Sequence, residues 1–210
     1  EILAFIDDDE RIVEEFVEAY IDLFDGCSKA MSAGGKIIAE YPSGRPSWMS
    51  RYVEQSIANP MDFGPNVRRF PKGRIPGGGN MAFRREVFDR IGLFNTELGR
   101  TGKRLIGGEE SDLFERAERC GMACYYQPRA VMYHIIPESK LTEDYFDRLS
   151  YNTGVSQRRR AEVSGRVLRL YMFEVAKWVA TLLLCLVHRP EQARYLVKMR
   201  WGISRGLFGR

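Results

Sequence analysis

The chain opens on an apolar run, Ile2-Leu3-Ala4-Phe5-Ile6, that ends in three consecutive aspartates, Asp7-Asp8-Asp9. No other stretch constrains the fold as strongly. A short apolar run stopped by polar residues reads as a buried strand. Beyond it Ile12, Phe16, Tyr20 and Phe24 recur every four residues with Val13 and Val17 beside them, which predicts an amphipathic helix over 11–25 ended by Gly26. A helix after a buried strand begins an α/β unit, and open α/β sheets bind ligands outside the carboxyl ends of their strands, where the triplet falls. Stacked carboxylates repel. A hard divalent cation, Mg²⁺ or Mn²⁺, offsets that repulsion through oxygen ligands. An acidic turn capping the next helix accounts for the same residues, because Asp favours N-caps and the positive end of the helix.

Further along, Lys36 to Tyr41 reads as a strand and 47–59 as a helix stopped by Pro60. Residues 60–79, rich in Pro, Gly, Arg and Lys, form a long loop of the kind that is often functional. Asn80 to Phe83 predicts a short strand, followed by a helix to Ile91 that stops at Gly92. A second glycine-rich loop, 95–108, carries Arg100, Lys103 and Arg104 and leads to a helix starting at Glu109. In that helix Leu113, Phe114 and Ala117 face inward and Gly121 is the stop. Strands over 123–127 and 130–134 flank Pro128, and helices cover 142–150 and 160–187. The fold class is α/β, a mixed sheet flanked by helices with a helical C-terminal appendage. The boundary is expected between a domain over 1–157 and a tail over 158–210.

Charge is unevenly spread. Residues 151–210 hold 12 Lys/Arg against 3 Asp/Glu, a balance of +9, while residues 1–150 hold 20 against 25, a balance of −5. A basic tail on an acidic body points to an anionic surface, lipid or nucleic acid. Nucleic acid is not the expected partner, because no recognised binding motif is present and aromatics are not interleaved as stacking platforms. Leu168 to Val187 is the most apolar stretch, interrupted by Arg169, Glu174 and Lys177. Charges in mid-span are costly, so a helix lying on an anionic membrane surface is expected, with a helix packed on the protein's own core as the alternative. Cys27, Cys120, Cys124 and Cys185 show neither zinc spacing nor a CxxC pair and read as reduced thiols. A cytoplasmic, peripheral location follows. The chain opens on Glu1 inside a strand, without an initiator Met, so it is expected to be a fragment.

Two further groups carry chemistry. Glu109-Glu110 stands at a helix start, where the positive end keeps carboxylates ionised, as a general base requires. His134 ends a strand, and strand ends on one sheet edge would bring it toward Asp9; carboxylate plus imidazole suits Mn²⁺. Gly77-Gly78-Gly79 lets backbone approach a ligand closely beside Asn80, but it is neither a Walker loop nor a dinucleotide fingerprint.

Taken in order, Phe5 to Asp9, Gly78-Gly79-Asn80-Met81-Ala82-Phe83-Arg84-Arg85, Gly108-Glu109-Glu110-Ser111-Asp112-Leu113 and Tyr126 to His134 resemble the family-2 glycosyltransferases of the GT-A (Rossmann-like) fold across about residues 1–160. The resemblance implies a DxD motif in which Asp9, with Asp7, holds a divalent metal (Mn²⁺ or Mg²⁺). Asp7 and Asp8 then belong to the donor-binding set, with Gly79 and Asn80 lining the sugar side of the cleft. It implies that Glu110 is the catalytic base, with Glu109 or Asp112 as alternatives because the family usually has Asp at that position, and that His134 joins the metal. The implied reaction is inverting transfer from a nucleotide-diphosphate sugar to a glycan or lipid-linked acceptor, in cell-surface glycan synthesis. Family members begin with strands that form much of the nucleotide pocket; the chain as it stands lacks these ahead of Glu1 and is expected to bind donor poorly or not at all. Gln157 to Arg160 matches only part of the processive synthases' QxxRW signature, since Ala161 replaces Trp.

Two other functions compete with this one. Residues 2–10 also resemble the first strand of receiver domains, whose acidic pair binds Mg²⁺, but residues 50–58 contain no phosphoacceptor Asp. A non-catalytic membrane-associated module is the second alternative.

Overall fold

The computed structural model describes residues 1–96, 98 and 108–209 of the 210-residue chain. It divides into two compact units, one of Glu1–Tyr41, Ala58–Asn95 and Glu110–Ile136, the other of Pro42–Ile57, Thr96–Glu109 and Pro137–Arg210. The strands are β1 (Ile2–Phe5), β2 (Glu10–Ile12), β3 (Ala30–Glu40), β4 (Arg68–Arg69), β5 (Met81–Arg84) and β6 (Ala123–Ile135). The helices are α1 (Phe16–Gly26), α2 (Arg51–Ile57), α3 (Arg85–Ile91), α4 (Glu109–Arg119), α5 (Glu143–Val163), α6 (Val167–Cys185) and α7 (Pro190–Phe208).

All six strands belong to one mixed sheet in the first unit, in the order β1-β5-β3-β6-β2, with β4 also on β6. The β3–β6 pair is parallel and the others are antiparallel. Strand alternation in β5 decides how the faces are covered. Met81 and Phe83 pack with Val87 of α3 and Leu113, Phe114 and Ala117 of α4. Ala82, pointing the other way, joins Phe16, Tyr20 and Phe24 of α1 and Met132 of β6. Helices therefore flank both faces, an arrangement compatible with a Rossmann-like fold.

Several elements differ from the sequence expectation. The helix predicted from residue 11 begins at Phe16, because Glu10–Ile12 pairs with Met132–His134 as β2. Arg11 holds that pairing: its guanidinium lies 4.0 Å from the Tyr133 ring centroid and 2.6 Å from Glu40. The strand predicted at Lys36 is the second half of β3. Its first half, Ala30 to Gly35, lacks branched side chains and has little strand propensity of its own.

The two strands predicted around Pro128 are the single strand β6. Gly35 faces Gln127 but Lys36 faces Val131, so residues 128–130 leave the ladder as a bulge. A proline without an N–H is tolerated there. The helix predicted over 160–187 starts at Val167, after a break at Gly165 with φ +67°. The predicted loop over 95–108 lies mostly outside the described residues.

The second unit is helical. Trp48 stacks on Tyr195 of α7 with centroids 4.2 Å apart, and Phe146 of α5 packs beside them. The backbones of α5 and α7 meet at glycines, since a Cβ on Gly154 would lie 2.0 Å from the Ile203 carbonyl oxygen and one on Gly206 2.0 Å from that of Tyr151. Among the described residues no helix is long and apolar enough to cross a membrane.

Candidate active site

Strands β1 and β2 lie at opposite ends of the sheet order, so residues 6–9 carry the chain from one side of the sheet to the other. Phe5 is in register with Met81, and Glu10 with His134. Asp7, Asp8 and Asp9 are thus stretched between the start of β5 and the carboxyl end of β6. Asp7 and Asp8 are both exposed, and Asp7, Asp9 and Glu10 each offer a carboxylate oxygen within 4.8 Å of the others. The Asp7 N–H donates to Glu10 Oε2 at 3.0 Å, which helps hold the two carboxylates together. Glu10 is a member of this cluster that the sequence expectation does not include. Its signal is its place as the fourth acid of an unbroken run, one residue before the predicted helix.

His134 reaches the cluster from β6. Its Nε2 lies 3.7 Å from Asp9 Oδ2 and its Nδ1 lies 2.9 Å from the Ala58 carbonyl oxygen. A carbonyl can only accept, so in the neutral ring Nδ1 carries the proton and the Nε2 lone pair is turned toward Asp9. Metal-ligating histidines are oriented by this kind of bond. The donor set, hard carboxylate oxygens with one imidazole nitrogen, fits Mn²⁺ or Mg²⁺.

The two acidic groups lie against adjacent glycines of one turn. A Cβ on Gly79 would lie 2.0 Å from Glu10 Oε2, and one on Gly78 would lie 2.4 Å from Glu110 Oε1. Neighbouring Cα atoms are about 3.8 Å apart, so carboxylates from the two ends of the motif set press on adjacent residues of one turn. A side chain at either position would displace the carboxylate beside it.

The other two base candidates stand differently. Asp112 is paired with Arg116 at 2.8 Å, and Arg116 also donates to the carbonyls of Ile91 and Leu93 at the end of α3. That carboxylate is committed to packing. Glu109 has a buried Oε2 with no hydrogen-bond partner among the described residues.

Asn80 is fully buried rather than lining a cleft. Its amide donates to the carbonyls of Lys36 and Ala130, both at 3.0 Å, and its Oδ1 accepts from the Tyr20 hydroxyl. These are carbonyls beside the β6 bulge, where the ladder is interrupted. Burial pushes the Tyr20 phenol well above its ordinary value, so it stays a donor. Asn80 therefore fixes the turn that carries Gly78 and Gly79. Arg158, from the partial QxxR match, is likewise occupied, by Glu162 at 2.8 Å and the Gly209 carbonyl.

Fold and site together define an α/β protein with a carboxylate–imidazole cluster and a separate glutamate gathered at one glycine turn. No protein-family model matches the chain. It is similar to a Haloferax volcanii protein named glucosyl-dolichyl phosphate glucuronosyltransferase, at 24% identity over 160 residues, covering 75% of this chain and 50% of that protein. The chain thus spans about half the length of this curated relative.

Proposed function

We propose that this chain carries part of the catalytic domain of a glycosyltransferase, moving a sugar from a nucleotide-diphosphate donor to the hydroxyl of a glycan or lipid-linked acceptor with inversion at the anomeric carbon. The observation that carries the reading is the convergence of Glu10 and Glu110 on Gly79 and Gly78. Similarity to a glycosyltransferase supports the class. That relative's name couples a glucuronosyl transfer with a dolichyl-phosphate-linked glucose, which favours a lipid-linked acceptor here.

In this reading Asp9, Asp7, Glu10 and Nε2 of His134 hold a divalent cation, Mn²⁺ or Mg²⁺. When bound, that cation supplies charge neutralisation for the departing diphosphate. Glu110 takes the proton of the acceptor hydroxyl as its oxygen attacks the anomeric carbon. The new C–O bond forms as the bond to the diphosphate breaks, and the proton ends on Glu110. Bare backbone at Gly78 and Gly79 gives the two carboxylates room to lie against the turn.

The test belongs in the full-length parent protein. Glu110→Gln should lower turnover by roughly 10²-fold or more, the usual contribution of a general base, with donor affinity little changed. Asp9→Ala should abolish Mn²⁺-dependent transfer. Full turnover in the first variant would move the base to another residue, and unchanged turnover in the second would remove the cation from Asp9.

A further inference from the structure

Helix α6 is built inside out for a helix in water. The residues it buries are polar, Glu174 and Thr181. Glu174 is paired with Arg200 of α7 at 3.1 Å and accepts from Ser204 at 2.8 Å, while Trp178 donates its ring N–H to the same serine at 2.9 Å. Its apolar residues face outward. Leu168, Met172, Val175, Val179, Leu182 and Leu186 at its end are each more than half exposed.

These six recur at alternating spacings of four and three, which alone would suit a seam for one partner helix. The exposed apolar surface is wider than such a seam. At 3.6 residues per turn, about 100° per residue, the arc from Leu182 through Leu168 to the exposed Phe173 spans about 180° of the helix. A single helix covers a narrow stripe, whereas a bilayer surface covers a whole side. Cations stand at the two ends of the helix. Arg169, at its start, lies with its guanidinium 5.3 Å from the Phe173 ring, and Arg189 is exposed just past its end. The only acid of α6 is Glu174, which is buried and neutralised by Arg200. A surface this apolar, flanked by cations and with no exposed acid on α6 itself, complements anionic headgroups over acyl chains.

We propose that the outward side of α6 is a lipid-binding surface that lies in the plane of an anionic bilayer, with Arg169 and Arg189 on the headgroups and the α7 side turned away. This does not rest on the glycosyl-transfer reading. The 210-residue chain should float with phosphatidylcholine vesicles containing phosphatidylglycerol. Met172→Glu/Val179→Glu/Leu183→Glu changes exposed positions only, so its circular dichroism and unfolding midpoint should match those of the parent while flotation falls at least tenfold. Arg169→Gln/Arg189→Gln should weaken binding to the anionic vesicles by roughly fivefold per arginine and leave binding to pure phosphatidylcholine unchanged. The proposal is overturned if the parent chain does not float, or if the triple variant floats equally well. It is also overturned if sedimentation velocity shows a dimer that the triple substitution dissociates while vesicles go unbound, since the face would then serve a second copy.

Discussion

Gly79 is where a single added atom would press on the acidic cluster. Its Cα faces the Glu10 carboxylate so closely that an alanine Cβ would fall 2.0 Å from Oε2. Glu10 would swing away and lose the Asp7 N–H, leaving Asp7 and Asp9 without their third carboxylate. On the proposed metal reading, Gly79→Ala should weaken Mn²⁺ binding by about tenfold in calorimetric titration, since one of the few hard oxygen ligands is displaced. Retained affinity would show that Glu10 is not a ligand. The approach of His134 to Asp9 was legible in the sequence, because a residue ending one strand and an acid following another fall at the same sheet edge. Glu10 was not legible, because periodicity sees only its place one residue before an apparent helix. Asn80 was read as a ligand-facing amide, and its burial depends on a bulge in β6 that no local pattern announces.

At the scale of elements, that bulge is what Asn80 serves. Its amide and carbonyl oxygen tie the Lys36 and Ala130 carbonyls and the Tyr20 hydroxyl together in the core of the first unit. Asn80→Ala would leave these buried groups unpaired, each at about 1–3 kcal/mol, so a loss of roughly 3 kcal/mol in urea unfolding is expected; a loss below 1 kcal/mol would mean water replaces the amide. The α5–α7 contact offers a parallel case, because a Cβ on Gly206 would meet the Tyr151 carbonyl oxygen at 2.0 Å with no flexible side chain to yield. Gly206→Ala should cost about 1–3 kcal/mol through forced separation of the helices, although alanine is the better helix former. An unchanged or higher unfolding midpoint would refute that contact. Strong periodic segments, such as α4 from Glu109 to Arg119, were legible in the sequence. Helix α7 was not, although Tyr195, Met199, Ile203 and Leu207 are buried at four-residue spacing, because the basic residues between them read as a tail.

At the scale of the molecule, each unit carries an ion pair that makes it sensitive to acid. In the sheet unit Lys36, 2.7 Å from Asp62, holds that carboxyl below its ordinary value by hydrogen bond and charge. In the helical unit Glu143, at the start of α5, accepts from Lys198 at 2.8 Å and Tyr195 at 2.9 Å, and these bonds, with the Lys198 charge, lower its pKa. A carboxyl whose folded value is depressed binds its proton more readily in the unfolded chain. Its contribution to stability is therefore complete above the unfolded value, about 4.3 for Glu, and is lost as pH falls through the folded one. Glu143→Gln removes the titrating group and keeps the side chain's size, so the parent should be the more stable of the two at pH 7. That difference should shrink below about pH 4.3 and vanish once the folded carboxyl has also taken up its proton. Both midpoints can be followed by urea denaturation monitored through Trp48, which stacks on Tyr195 next to the pair. A difference that stays constant from pH 7 to pH 3 would show that Glu143 stabilises the unit through packing rather than through its charge.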